Sequence, residues 1–133
     1  MSEANKATAV RFFHALGAGD TATMKTLMTD DCVAIMPGTA EVCGTRDYAV
    51  LMAFAEALPK ITQSGVQFEV LSVIGEADRV SCELNGRSTL INGTPYNNGY
   101  HFLVFFRDGR ICMLREYLDT KLADEALAPF LRS

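Results

Sequence analysis

The sequence has no cluster of lysines and arginines, and its formal net charge is −4. It therefore lacks the basic footprint of a nucleic-acid binder, and no nucleic acid is expected among its partners. No apolar stretch is long enough to span a bilayer, and the start MSEANKATAV lacks the basic residues followed by an apolar run that mark a secretory signal. A cytoplasmic location with no membrane partner is the expectation. The cysteines Cys32, Cys43, Cys82 and Cys112 form no C-x-x-C pair and have no histidine at ligand spacing, so they read as reduced core residues. There is no phosphate loop, nucleotide fingerprint, metal-ligand set or nucleophile elbow. Any enzymatic chemistry is thus expected to be free of cofactor and metal. Asn92-Gly93-Thr94 matches a glycosylation sequon, but without an export signal it reads as a turn.

What is present suits one domain over residues 1–133. Hydrophobic residues make up 49% and charged residues 21%, enough apolar surface to offset the entropy of folding. No internal repeat, linker or low-complexity stretch divides the chain.

The first half is helical in pattern. From about Ala4 to Leu16, Val10, Phe13 and Leu16 share a face with Phe12 beside them, and Gly17 and Gly19 stop the run. Asp20 reads as the N-cap of a short second helix burying Met24, Leu27 and Met28, which Asp30-Asp31 breaks. Cys32 to Met36 reads as a strand. Thr45 is placed to cap a third helix running to about Leu58, with Tyr48, Leu51, Met52 and Ala55 inward and Pro59 closing it.

The period then changes from helical to alternating. Val66, Phe68 and Val70, and later Val80, Cys82 and Leu84, alternate with polar residues as half-buried antiparallel strands do. Turns fall at Gly75-Glu76-Ala77-Asp78 and Asn92-Gly93-Thr94-Pro95. Asp108-Gly109 is the strongest hairpin signal, joining Tyr96–Arg107 to Arg110–Asp119. Thr120 onward reads as a loosely packed terminal helix. Helices followed by antiparallel strands predict an α+β fold with the helices on one face of a curved sheet. His101 to Phe106 is apolar on both faces, so the other face also needs cover, and a second copy of the chain supplies it most economically. A homodimer through the sheet is expected.

A two-residue turn at Asp108-Gly109 pairs Arg107 with Arg110, and counting outward pairs Phe105 with Cys112, Leu103 with Leu114 and His101 with Glu116. Directly opposed residues share a face. His101 and Glu116 then form a dyad on a wall of Leu103, Phe105, Cys112, Leu114 and Leu118, while Tyr100, Phe102, Val104, Ile111, Met113 and Tyr117 face away. Burial raises a carboxyl pKa and a neighbouring imidazolium lowers it, which suits a proton-moving pair. The alternative role is a structural cross-strand ion pair. If Arg107-Asp108-Gly109 instead forms a three-residue loop with a glycine bulge, His101 falls opposite Arg115 and the dyad is lost.

Gly19-Asp20, Asp30-Asp31-Cys32-Val33 and the closing run from Asp108 to Asp119, D-G-R-I-x-x-x-R-E-Y-x-D, resemble the nuclear transport factor 2-like superfamily, in its ketosteroid-isomerase and SnoaL-like polyketide-cyclase branch. The resemblance implies a cone-shaped barrel of curved, mostly antiparallel sheet, with three N-terminal helices on its concave face, an apolar pocket between them, and commonly a homodimer. It implies that His101 and Glu116 both line the pocket. Similar steroid isomerases carry a tyrosine where Phe12 stands and a catalytic aspartate where Met36 stands, and His101 occupies their oxyanion aspartate position. That chemistry is not expected here. The Asp-Arg-Asp set of similar epoxide hydrolases is matched by Glu116 and Arg79 but not by Ser81, although Glu83 shares their face. The SnoaL-like cyclases, with an acidic acid/base and a nearby histidine, fit best.

The expected catalytic residues are Glu116 as acid/base and His101 as its partner. Phe12, Met36, Met52, Arg79, Ser81, Leu103, Phe105, Leu114 and Leu118 are expected to bind the substrate, Met36 and Met52 shaping a greasy wall and Arg79 orienting a carboxylate or carbonyl. His14 reads as structural, and Tyr48, Tyr96, Tyr100 and Tyr117 as core or interface residues with bonded hydroxyls. Three functions remain open: proton transfer on a small apolar carbonyl compound, binding of a small apolar ligand without catalysis, or dimerisation around a filled cone.

Overall fold

The computed structural model of the protein describes residues 2–131. Helix α1 (Ser2–Ala18) turns Ala9, Phe12, Phe13 and Leu16 into the core. Its end is fixed by a close backbone approach. The Val66 N–H donates to the Gly17 carbonyl at 2.8 Å, and a Cβ on Gly17 would lie 2.1 Å from the Val66 carbonyl oxygen, so only glycine fits. Asp20 caps α2 (Thr21–Leu27) as expected, its carboxylate accepting from the Thr23 N–H.

Strand β1 (Met28–Met36) follows at once, so Asp30 and Asp31 lie within a strand. The third helix, α3 (Tyr48–Ile61), is capped by Asp47, whose carboxylate accepts from the Val50 N–H at 2.9 Å. Thr45 does not cap it, because Thr45 is paired with Ile35 in the short strand β2 (Gly44–Arg46). Nor does Pro59 end α3. The helix runs past it to Ile61 and is tied off by Thr62, whose backbone N–H and hydroxyl both donate to the Leu58 carbonyl.

Strands β3 (Gln67–Glu76), β4 (Arg79–Arg87), β5 (Asn98–Arg107) and β6 (Arg110–Leu118) then form a meander before helix α4 (Thr120–Leu131). The six strands lie in the order β2-β1-β6-β5-β4-β3, antiparallel except where β1 runs parallel to β6. The α+β class and the curved, mostly antiparallel sheet are as expected. The sheet does not close into a barrel, however: β2 and β3 are its two edges.

One core joins α1, α2 and α3 to the sheet, with Phe13 packed on Phe102 at a ring separation of 4.6 Å. A smaller core gathers Met36, Val42, Leu90 and Tyr96 around Ala123 and Ala126 of α4. The last helix is therefore well anchored. The Asp124 carboxylate also accepts from the backbone N–H groups of Glu41 and Val42, both at 2.9 Å. Among the cysteines, Cys32 and Cys82 are buried, and burial pushes their thiols up to about 12 and about 11. Cys43 and Cys112 are only half-buried, Cys112 because it is the unpaired residue of a bulge in β6.

Candidate active site

The hairpin turns as expected. Asp108 and Gly109 have φ of 53° and 77°, and Arg107 pairs with Arg110. Phe106 then pairs with Ile111, but Phe105 pairs with Met113, leaving Cys112 as an extra residue. From there Leu103 faces Arg115, Phe102 faces Glu116 and His101 faces Tyr117. The expected His101–Glu116 dyad does not form. The bulge lets Ile111 and Leu114, three residues apart, both point into the core, where they are 0% and 1% exposed. The β1–β6 ladder is irregular beside it, because the surplus there lies on β1, whose Met28 and Val33 pair with Ile111 and Met113.

With a side-chain period of two, that single residue sorts the hairpin. Tyr100, Phe102, Val104, Ile111, Leu114, Glu116 and Leu118 face the helices. His101, Leu103 and Phe105 lie on the outer face with Arg79 and Ser81. There His101 Nε2 is 2.6 Å from the Ser81 hydroxyl and stands across from Glu83. Of the expected substrate-binding residues, Met36, Leu114 and Leu118 line the cavity. Phe12 and Met52 are packed in the core behind it, and Arg79, Ser81, Leu103 and Phe105 are on the outer face of the sheet, away from this cavity. The cone is not filled, because Phe12 and Phe105 are spent elsewhere.

The cavity measures about 400 Å³ and lies between α1, α3, α4 and the inner face of the sheet. Among the described residues its walls are apolar apart from four side chains: Arg46, Tyr96, Tyr100 and Glu116. The Tyr96 hydroxyl accepts from Asn98 Nδ2 at 3.0 Å and from the Tyr100 hydroxyl at 3.3 Å, and neither bond uses its own proton. Asn98 is buried and also holds both backbone groups of Asp119, fixing the tyrosine pair to the start of α4. Burial raises the pKa of both tyrosines, and the Glu116 charge raises them further.

Among the described residues Glu116 is the one carboxyl lining the cavity. Desolvation pushes it up to about 7, against the opposing pull of the Arg46 guanidinium. A group poised there both takes and returns protons near neutral pH. Nothing in the sequence marks Arg46, which stands in a segment that reads as the approach to a helix; Tyr96 reads only as a core or interface tyrosine with a bonded hydroxyl, which it is, and not as part of a site. Tyr100 and Phe102 were legible as one alternating face, although the count from the turn assigned that face away from Glu116. Among the described residues no three His, Cys, Asp or Glu side chains converge as a metal site.

The family model for the SnoaL-like domain matches residues 9–113. Among solved structures, Bal32a from a soil-derived mobile gene cassette is 23% identical, with a TM-score of 0.81 over 93% of this chain and 96% of its own. A protein from Bacillus subtilis, provisionally described as an isomerase, is 23% identical with a TM-score of 0.80, covering 95% and 94% of the two chains. An NTF2-like protein from Burkholderia xenovorans is 21% identical with a TM-score of 0.75, covering 95% and 97%. No curated protein matches the sequence. At these identities the structural likeness establishes the fold.

Proposed function

Since the chain belongs to the SnoaL-like domain family, we propose that it is a cofactor-free acid/base enzyme acting on a small, mostly apolar carbonyl compound in the cytoplasm. The observation that carries this reading is Glu116, a lone carboxyl in an apolar cavity with its pKa raised to about 7. As carboxylate, Glu116 removes a proton from the carbon next to the carbonyl. The electron pair moves onto the carbonyl oxygen, which receives a hydrogen bond from the Tyr96 hydroxyl, itself polarised by the two bonds it accepts. Glu116, now protonated, returns the proton to another carbon or to the oxygen in an isomerase step; in a cyclase step the enolate carbon bonds to a second carbonyl carbon of the same molecule, whose oxygen takes the proton. Tyr96 takes the partner's role that the sequence assigned to His101.

The reading is tested by exchange of α-protons of ketones into heavy water. Glu116→Gln is expected to slow exchange by about 10²–10⁴-fold and Tyr96→Phe by about 10²-fold. An unchanged rate in Glu116→Gln overturns the mechanism. A ketone that binds without exchanging leaves a ligand-binding module instead.

The outer face is proposed to meet a second copy of the chain. Ile74 and Tyr117 are 66% and 46% exposed there, beside half-buried Leu103 and Phe105. Light scattering should give a dimer mass that falls to the monomer in Ile74→Asp; a monomeric wild type rejects the pairing.

A further inference from the structure

Arg46 is a second charged group in the cavity, and the proton-transfer reading does not use it. It lies on the edge strand β2, half-buried, with one guanidinium N–H donating to the Val42 carbonyl at 2.5 Å. That bond fixes the head against the wall and leaves the other N–H groups without a carboxylate: among the described residues Arg46 forms no salt bridge. The neighbouring Asp47 does not neutralise it, because its carboxylate is committed to capping α3. Glu116 feels the Arg46 charge across the cavity but forms no salt bridge with it, so the planar fork of a partly desolvated guanidinium is left to match a carboxylate brought by a ligand.

The register gives the position of Arg46 relative to Glu116. Arg46 pairs with Ala34, and Ala34 pairs in turn with Leu114, so the three form one row across β2, β1 and β6. Glu116 lies two residues further along β6 on the same face. With strands about 4.8 Å apart and about 3.3 Å per residue, the two Cα atoms are about 12 Å apart. Both side chains reach into one cavity, and the wall between them is apolar. The two heads are not joined by a salt bridge, so a ligand that engages both carries its anion apart from its reacting carbonyl.

We infer that the ligand of this cavity is an apolar keto acid, its carboxylate held by Arg46 and its carbonyl end placed between Glu116 and Tyr96. This deepens the proton-transfer reading and rests on it for the carbonyl end only. The apolar span between the two charged groups accepts a hydrocarbon chain, and the exposed Val50 and Phe54 of α3 give the cavity an apolar rim.

The probes are 7-oxooctanoate, 9-oxodecanoate and 11-oxododecanoate, each with its methyl ester, titrated by calorimetry into wild type, Arg46→Met and Arg46→Lys. At least one acid should bind wild type about tenfold or more tighter than its ester. Arg46→Met should erase that preference while still binding the ester, and Arg46→Lys, which keeps the charge without the fork, should retain part of it. Equal affinities for acid and ester in wild type, failure of every acid to bind, or a preference that survives in Arg46→Met overturns the inference. Heavy-water exchange on the same compounds separates the two levels. Exchange of the esters that depends on Glu116, with no acid preference, sinks the keto acid and leaves the mechanism. Tighter binding of acids without exchange sinks the mechanism and leaves Arg46 as an anion anchor.

Discussion

The two faces of the β5–β6 hairpin carry similar inventories and face different solvents. The inner face holds Glu116 among Phe102, Leu114 and Leu118, and the outer face holds His101 among Leu103, Phe105 and Tyr117. Inside, the half-buried carboxyl faces apolar walls that stabilise its charge poorly, so desolvation pushes it up to about 7. Outside, His101 is exposed and bonded to the Ser81 hydroxyl. A polar residue in a strand acquires chemistry from the side it faces, and Cys112, an extra residue with no cross-strand partner, sets that side.

The largest effect should come from moving the boundary between the faces. Deleting Cys112 removes the extra residue and leaves every later pair of the hairpin on its present face, so Glu116 stays inside. Deleting Arg115 instead turns Glu116 and Leu118 outward and brings Tyr117 in. The Arg115 deletion should abolish ketone α-proton exchange, whereas the Cys112 deletion should keep it within about tenfold, a change of about 1.4 kcal/mol in the barrier. Exchange rates and thermal melts of the two equally shortened chains check this. The reverse order would show that the bulge does not assign the faces.

That same residue marks the limit of what the sequence discloses. The α+β order, the Asp20 cap and the Asp108-Gly109 turn are local signals, each written in a few adjacent residues, and all three appear as read. Face assignment beyond the turn is cumulative, so one unpaired residue at Cys112 inverts it for everything downstream on β6. The spacing of Ile111 and Leu114 hinted at the break, since two core residues three apart do not fit a regular alternation. Arg46 and Tyr96 reach the cavity through β2 and the loop before β5, whose positions depend on long-range pairing. The anchoring of α4 was hidden for the same reason, since Asp124 meets Glu41 and Val42 across more than half the chain.

A middle-sized effect concerns stability on the inner face. Below the ordinary glutamate value of 4.5, Glu116 is protonated both folded and unfolded, and its burial carries no charge penalty. As pH rises from 4.5 to about 7 the unfolded chain ionises first, so it binds fewer protons than the folded one and stability falls. Above the folded pKa the penalty is complete, up to about 3 kcal/mol for a gap of this size. Glu116→Gln should therefore be more stable than wild type at pH 8 by up to that amount, with the difference vanishing below pH 4.5, as read by urea unfolding across pH. A difference that stays constant with pH would place the carboxyl's charge in water and remove the main physical support for the proton-transfer reading.

The smallest effect belongs to the outer face. His101→Ala removes a bond to Ser81 at an exposed position, where the lost protein contact is replaced by water, so unfolding free energy should change by about 0.5 kcal/mol or less. Exchange should stay within about twofold of wild type, because no part of the imidazole lines the cavity that holds Glu116. The informative measurement is dimer dissociation. If a second chain covers this face, the His101 ring and the Ser81 hydroxyl become buried together, and truncating one leaves the other without its partner in a dry interface. Dissociation should then rise while exchange does not. A His101→Ala protein that loses exchange but keeps its assembly would reverse the roles of the two faces and return the histidine to the chemistry.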